Sequence, residues 1–129
     1  MCDFNFIYNQ YKLKWRRVGF LKDVDKYKPD KIGVYRAKLD ERIMYIGVAT
    51  EKNKGSSVAH YWGLHKRLND YIRPEASGRE KGAGPQMYQN KNELIIETIE
   101  MDFSEDNVEL AMLLERLFIY SLKPVWNKM

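Results

Sequence analysis

The sequence is poor in the features that mark secreted, membrane-bound or zinc-binding proteins. It contains one cysteine, Cys2, which excludes a disulfide framework and a cysteine-rich zinc site. No apolar run approaches the roughly 18 residues that a membrane span needs. Asp3 and Asn5 interrupt the first apolar residues, unlike the apolar core of a signal peptide. We therefore expect a cytoplasmic protein without a membrane partner.

Length and charge narrow the class of protein further. The 129 residues can bury one core but not two, which predicts a single globular unit. Residues 1–31 carry eight Lys/Arg against four Asp/Glu, residues 42–91 carry nine against four, and residues 92–129 carry three against eight. Two basic stretches favour an anionic partner that meets one side of the molecule. A solvated mixed surface would have the same composition.

Hydrophobic periodicity predicts both strands and helices. Strands are expected at residues 11–20, 32–38, 42–49 and 93–101, with a turn at residues 39–41. Helices are expected at about residues 58–72 and from an N-cap at Ser104 to about residue 122, with Glu105 and Asp106 in the first turn of the second helix. Polar connections are expected at residues 21–30, 50–57 and 73–85.

The two central strands carry nearly mirrored triplets, Gly33-Val34-Tyr35 and Tyr45-Ile46-Gly47. Glycine weakens the interior of a strand and packs nothing, so strands that only filled a core would carry branched aliphatic residues there. The repetition therefore requires a specific reason.

Glu115 is the most informative residue of the last predicted helix. It shares a face with Ala111 and Phe118, because these residues are spaced by three and four, and the face is otherwise apolar from Val108 to Leu122. A carboxylate there needs a partner, since burial of an unpaired charge is costly. The partner is either an arginine or tyrosine hydroxyl in a structural network, or a divalent cation.

Arg67 and Tyr71 project from one face of the first predicted helix, beside its apolar stripe. An arginine in such a position either extends along the core surface into solvent or clamps a phosphate. Asn127 lies in a nonhelical tail beyond Pro124. There it could tie the tail to the core or orient a catalytic group.

Five segments resemble, in order, the motifs of the GIY-YIG nuclease superfamily: GVY at 33–35, YIG at 45–47, GLHKRLNDY at 63–71, Glu115, and KPVWN at 123–127. The resemblance covers about residues 31–129, so residues 1–30 would be a basic N-terminal extension packed on a nuclease-like catalytic domain. It implies an α/β (α+β) fold with a small, mostly antiparallel central sheet flanked by helices.

The resemblance also implies roles for single residues. Tyr35 and Tyr45 would lie on one face beside a phosphodiester, one helping to deprotonate the attacking water, with the glycines leaving room for close approach. Arg67 would hold the scissile phosphate, with Arg73 as the alternative arginine. Tyr71 stands where many members have histidine.

Glu115 would be the single ligand of Mg²⁺ (or Mn²⁺), and Asn127 would support the site. A phenol that acts as a base near pH 7 needs a neighbouring cation to lower its pKa. Lys38, Lys52 or Lys54 could supply that cation.

The resemblance thus implies a metal-dependent endonuclease that hydrolyses DNA, in a restriction, phage or mobile-element setting, although RNA, a homodimer and a protein partner also remain open. The alternative is a nucleic-acid-binding module with this fold that does not cut, or cuts only with a partner. Contacts to nucleic acid are predicted for nine basic residues: Lys12, Lys14, Arg16, Arg17, Lys52, Lys54, Lys66, Arg79 and Lys81. For the basic strand the alternative is a charged edge that discourages aggregation.

Overall fold

The centre of the molecule is a four-stranded antiparallel sheet. A computed structural model describes residues 14–27, 31–51, 63–75 and 82–127. The strands are β1 (Arg16–Phe20), β2 (Ile32–Leu39), β3 (Arg42–Ala49) and β4 (Ile95–Met101), in the order β1-β4-β2-β3. Every neighbouring pair is antiparallel. With helices beside the sheet, this confirms the predicted α+β architecture.

The hairpin between β2 and β3 presents the two glycine and tyrosine triplets. Leu39 pairs with Arg42, so Asp40 and Glu41 form a two-residue turn. Both have positive φ, 50° and 69°, as a type I′ turn requires. The predicted bounds of β3 agree with the structure, and β2 extends one residue further than predicted.

Within the described residues, four helices pack beside the sheet: α1 (Val24–Tyr27), α2 (Leu64–Asp70), α3 (Gly84–Gln89) and α4 (Glu105–Leu122). The cap predicted for α4 is confirmed, because the Ser104 hydroxyl accepts a hydrogen bond from the Asn107 N–H at 3.0 Å. Lys123 ends this helix in the left-handed conformation, with φ of 48°, and Pro124 follows. The part of the first predicted helix that the structure describes is helical at α2.

Two segments predicted as irregular contain helical turns instead. Leu21–Asp23 form a 3₁₀ turn that continues into α1, and Leu21 and Val24 are fully buried. Their spacing of three residues places both apolar side chains on one side of the turn, against the sheet. Within residues 73–85, Gly84 begins α3, whose Met87 is fully buried. Pro85 is compatible with the first turn of this helix, because the first backbone N–H groups of a helix have no partner within it and proline has no N–H to lose.

The sheet separates two hydrophobic clusters, as alternation of side chains along each strand requires. On one face Tyr35, Ala37 and Ile96 pack with residues of α1, α2 and α3. On the other face Val34 and Ile46 pack against α4. β3 is an edge strand, so the two faces meet at its free side. Among the described helices, none combines the length and apolarity needed to cross a bilayer.

Candidate active site

The two motif tyrosines lie on the same face of the hairpin. Tyr35 pairs with Gly47, and Ala37 pairs with Tyr45, so the tyrosines are diagonal neighbours across β2 and β3. Their ring centroids are 6.2 Å apart. Tyr35 is buried, whereas Tyr45 is partly exposed. Of the two hydroxyls, that of Tyr45 therefore belongs to the more accessible side chain.

Packing within the protein explains the two motif glycines. A Cβ on Gly47 would lie 2.3 Å from the Tyr35 hydroxyl oxygen and 2.4 Å from its Cζ. A Cβ on Gly33 would lie 1.9 Å from the carbonyl oxygen of Ile99 on β4. The sequence analysis expected the glycines to make room for a phosphodiester. The structure gives a different reason, since Gly47 makes room for the Tyr35 ring and Gly33 for the neighbouring strand.

Tyr71 joins the tyrosine pair from the end of α2. Its hydroxyl lies 2.7 Å from that of Tyr35 in a buried hydrogen bond, and their ring centroids are 6.1 Å apart. Tyr71 is itself buried. The structure therefore brings three phenols together between α2 and the hairpin.

The pKa of Tyr35 and the pKa of Tyr45 are both raised above 10, chiefly because burial disfavours a phenolate. Tyr71 raises both pKa values further, and Arg67 lowers them without reversing the effect. Lys38 is not among the groups that shift either pKa. Lys38 lies instead by Glu41, at 3.4 Å, and Glu97, at 3.8 Å, whereas Lys52 and Lys54 lie outside the described residues. Near pH 7 these tyrosines are neutral hydroxyl groups.

Arg67 lines a cleft of about 220 Å³ beside the end of β3. We call this the arginine cleft; its lining residues are Ala49, Glu51, Gly63, Lys66, Arg67 and Asp70. Arg73, the alternative arginine, is exposed beyond the end of α2 and is not among these residues. Arg67 is thus the arginine that the structure associates with the cleft.

Glu51 is a cleft residue that the sequence analysis missed. Its Oε1 lies 4.0 Å from Arg67 Nη2, with 57% of the Glu51 side chain and 41% of the Arg67 side chain exposed. Glu51 follows the YIG triplet by four residues in a polar stretch, where no periodicity distinguishes it. Lys66, the other cation of the cleft, lies 3.4 Å from Asp70. Both cations of the arginine cleft therefore have a nearby carboxylate.

Glu115 is half-buried on α4, and burial raises the pKa of its carboxyl group. Arg116 and then Arg67 oppose this shift, and the charge of Glu115 in turn raises the pKa of Tyr45. Although α4 packs on the face opposite the tyrosines, Glu115 interacts electrostatically with Tyr45 and Arg67. β3 is the edge strand of the sheet, and residues of β3 pack in both hydrophobic clusters.

The apolar stripe around Glu115 is narrower than predicted. Ala111 and Phe118 are buried, Val108 is partly buried, and Leu122 is 42% exposed. Glu115 therefore lies at the border of the buried part of α4, with access to solvent. This position is compatible with a ligand that arrives from the cleft.

A single hard cation fits the chemistry of Glu115. Within the described residues, no group of three His, Cys, Asp or Glu side chains could hold a metal. Mg²⁺ is commonly bound through one or two carboxylates while it keeps several waters, so one carboxylate suffices. A cation there would also offset the cost of ionising a carboxyl group whose pKa burial has raised.

Asn127 attaches the C-terminal tail to β3. Its Oδ1 accepts a hydrogen bond from the Ile46 N–H at 2.8 Å, and its Nδ2 donates to the Ile46 carbonyl at 2.9 Å. The Trp126 N–H donates to the Met44 carbonyl at 2.7 Å. The carboxamide thus pairs with the edge strand as a neighbouring backbone would. It fixes the residue between Tyr45 and Gly47.

The predicted basic residues are distributed over two regions. Lys14, Arg16 and Arg17 are exposed at or beside β1, at the edge of the sheet opposite β3, whereas Lys66 borders the arginine cleft. The remaining five lie outside the described residues: Lys12, Lys52, Lys54, Arg79 and Lys81. The structure therefore packs Tyr35, Tyr45 and Tyr71 together, and Arg67 and Glu115 interact electrostatically with Tyr45. The cations of β1 lie at the opposite edge of the sheet.

Comparison with known proteins identifies the fold. No family model matches the chain, and no curated protein matches its sequence. Among solved structures, it is similar to the magnesium-bound GIY-YIG N-terminal endonuclease domain of UvrC from Thermotoga maritima, with 23% identity, a TM-score of 0.57, and coverage of 84% of this chain and 96% of that one. A point mutant of that domain bound to its catalytic divalent cation gives 22% identity and a TM-score of 0.58, with the same coverage. The chain therefore has a GIY-YIG-like fold.

Proposed function

We propose that this GIY-YIG-like domain is a metal-dependent endonuclease that hydrolyses phosphodiester bonds in DNA. The observation that supports the proposal is that the partly buried Tyr45 interacts electrostatically with both Arg67 and the half-buried Glu115. A guanidinium, a hydroxyl group and a hard carboxylate are the groups that phosphodiester hydrolysis requires. The GIY-YIG-like fold supports this assignment.

Arg67 would bind a nonbridging oxygen of the scissile phosphate in the arginine cleft. Its guanidinium presents fixed donors that match two phosphate oxygens and would stabilise the charge gathering there. Glu115 would hold Mg²⁺, with Mn²⁺ as the substitute. When bound, the cation would supply Lewis acidity to the departing 3′ oxygen. Arg67 and Glu115 belong to helices on opposite faces of the sheet, α2 and α4, and both would act on the same phosphate.

Tyr45 is the tyrosine best suited to contact the attacking water, because it is only partly buried. Its raised pKa excludes a phenolate stored at neutral pH, so the neutral Tyr45 hydroxyl would orient the water and relay a proton. It would accept the proton of the water while it donates its own proton to a nonbridging oxygen of the phosphate. Tyr35 and Tyr71, joined by their 2.7 Å hydrogen bond, would hold the ring of Tyr45 in position. Arg67 lowers the pKa of Tyr45, which makes the Tyr45 hydroxyl a better proton donor in that relay.

Asn127 would support this arrangement through the backbone of β3. It bonds both backbone groups of Ile46, so it fixes the part of β3 from which Tyr45 projects. The setting proposed for this activity is the cytoplasm, in restriction, phage or mobile-element DNA metabolism.

A cleavage assay tests the proposal. Plasmid and single-stranded DNA are incubated with Mg²⁺ or Mn²⁺ and the wild type, Glu115→Ala or Arg67→Ala. We expect nicking or cutting by the wild type and a loss of at least about a hundredfold in each variant, the scale seen when one transition-state donor is removed. Glu109→Ala is the matched control, because Glu109 is an exposed carboxylate on the same helix. It should retain activity.

The opposite result would favour the alternative function. If no protein cuts either substrate with either metal while all bind DNA equally, the domain is a binding module or needs a partner protein. Cleavage that persists in Glu115→Ala would contradict the assignment of Glu115 as the metal ligand.

A further inference from the structure

A second cleft, at the β1–β4 edge of the sheet, is unexplained by the candidate active site. It has a volume of about 320 Å³. We call it the basic cleft; its lining residues are Lys14, Arg16, Lys31, Thr98, Glu100 and Asp102. Three cations against two carboxylates leave one positive charge in excess. The sequence analysis selected Lys14 and Arg16 but not Lys31, and it did not predict that they share a cleft.

The basic cleft and the tyrosines lie on the same face of the sheet. Arg16 pairs with Thr98 on β4, and Thr98 pairs with Tyr35 on β2. Tyr35 pairs with Gly47 on β3. Directly opposed residues of antiparallel strands project to the same face of the sheet. Arg16, Thr98, Tyr35 and Gly47 therefore form one row across the four strands, from β1 to β3. With strands about 4.8 Å apart, the Cα atoms of Arg16 and Tyr35 are about 10 Å apart.

Lys31 connects the two clefts. Its carbonyl oxygen accepts a hydrogen bond from the Leu64 N–H at 2.9 Å. Gly63, which lines the arginine cleft, approaches so closely that a Cβ would lie 2.6 Å from that oxygen. The ammonium group of Lys31 lies in the basic cleft, in contact with Asp102. The backbone of Lys31 therefore abuts one cleft while its side chain lines the other.

The ion pairs in the basic cleft are of a kind that phosphate can replace. Arg16 Nη1 lies 3.5 Å from Glu100 Oε2, and the Arg16 side chain is 64% exposed. Asp102, the partner of Lys31, has a side chain that is 85% exposed. The Lys31–Asp102 pair contributes little stability because solvent screens it. The Arg16–Glu100 pair is less exposed, since only 15% of the Glu100 side chain is exposed and its Oε2 also accepts a hydrogen bond from the Thr98 hydroxyl at 3.0 Å. A nucleic acid backbone, with one charge at every nucleotide, can compete for both cations.

We propose that the basic cleft binds the sugar-phosphate backbone of the substrate on one side of the cleavage position. The strand would pass from Arg67 across Lys31 to Lys14 and Arg16. The row from Arg16 to Gly47 on β3 crosses three strand spacings, about 14 Å, which corresponds to about four base-pair steps of 3.4 Å along a helix axis, so these cations contact the flank and not the scissile phosphate. The inference rests on the proposed function and specifies how its substrate lies.

Binding of a labelled DNA duplex, measured without metal in the Glu115→Gln background, separates this inference from catalysis. Lys14→Gln and Lys31→Gln should each weaken binding about three- to tenfold, and each should reduce the slope of log K against log salt by about one. Lys22→Gln is the matched control, because Lys22 is exposed beyond the other end of β1. It removes the same charge and should change affinity less than about twofold.

A substitution that removes a negative charge, and is therefore expected to tighten binding, completes the test. Asp102→Asn removes the carboxylate that competes for Lys31, so it should tighten binding by about two- to fivefold. Glu93→Gln makes the same charge change at the other end of β4 and should have a smaller effect.

Three outcomes would overturn the inference. The first is an equal loss of affinity in Lys31→Gln and Lys22→Gln, which would indicate general attraction only. The second is weaker binding by Asp102→Asn, which would indicate that the ion pair serves the fold. In both cases cleavage by the wild type would leave the proposed function intact. The third is no DNA binding by any of the proteins, which would contradict both proposals.

Discussion

At the scale of single residues, Glu115 must be ionised to bind a metal but lies where burial disfavours its charge. Burial raises the pKa of its carboxyl group, so the ionised form that a metal requires is unfavourable in the metal-free fold. When the pKa of a carboxyl group is higher in the folded than in the unfolded state, ionisation of the group destabilises the fold. The protein therefore loses stability as pH rises from the unfolded-state pKa through the folded-state pKa. The stability penalty begins near the ordinary value of 4.5 and is complete once Glu115 is fully ionised.

Glu115→Gln should therefore stabilise the metal-free protein at about pH 8 and have little effect at about pH 4. The gain should stay below about 1 kcal/mol, because the side chain is only half-buried and solvent screens its charge. Thermal unfolding at the two pH values measures this effect, with Glu109→Gln as the control. The variant should also lose the stabilisation that Mg²⁺ gives the wild type. Destabilisation at the higher pH would indicate that Glu115 already has a strong structural partner.

Glu51 should oppose the binding of phosphate at Arg67, because it lies 4.0 Å from the guanidinium. Glu51→Gln should tighten binding of a DNA duplex by about two- to fivefold, the range that an exposed ion pair allows. Fluorescence anisotropy without metal measures the affinity. The gain should disappear when the same change is made in Arg67→Ala. A gain that survives there would show that Glu51 acts only through net charge.

At the scale of elements, the hairpin and the C-terminal tail build the site together. The β2–β3 register sets Tyr35 against Gly47, and the tail bonds to Ile46 through Asn127. The edge strand therefore carries the Tyr45 ring, accommodates the Tyr35 ring and receives the tail within three consecutive residues. A local change in β3 should affect the fold and the site at once.

Gly47→Ala tests how tightly the hairpin is packed. The new methyl group would lie 2.3 Å from the Tyr35 hydroxyl oxygen, so the ring must move. We expect a loss of about 1–3 kcal/mol in the free energy of unfolding, the usual cost of overpacking a core. In Tyr35→Ala the same substitution should cost much less, because the ring it would meet is gone. Equal costs in both backgrounds would contradict the packing explanation. Chemical denaturation of the four proteins completes the cycle.

At the scale of the whole molecule, cations are arranged along a path rather than at one point. Lys66 and Arg67 line one cleft, and Lys14, Arg16 and Lys31 line another on the same face of the sheet. Residues 1–31 and 42–91 each carry an excess of positive charge, and the acidic residues 92–129 reduce the net charge of the chain to +4. Attraction of a polyanion should therefore be shared by many weak contacts.

The affinity for DNA should consequently fall steeply with salt. Neutralisation of three to five phosphates predicts a slope of log K against log salt of about −3 to −5. Titrations between about 50 and 200 mM salt, without metal, measure this slope. An affinity that does not change over this range would contradict phosphate contacts as the basis of binding.

The sequence by itself determined the local features of this protein. Alternation predicted the hairpin strands, and the Ser104 cap and acidic first turn predicted α4, because such signals act within a few residues. Together with the order of the five motifs, they were sufficient to predict the fold. The short helices at Val24 and Gly84 were missed, because four and six residues repeat the amphipathic period too few times to be recognised in a sequence.

Only the tertiary structure decided what each site residue meets. The approach of Glu51 to Arg67, the fit of Tyr35 over Gly47 and the bonds between Asn127 and Ile46 join residues that are distant in sequence. The raised pKa values of Tyr35 and Tyr45 depend on burial by elements that are assembled only in the folded chain. Pairing and desolvation are properties of the packed molecule, so no local pattern in the sequence specifies them.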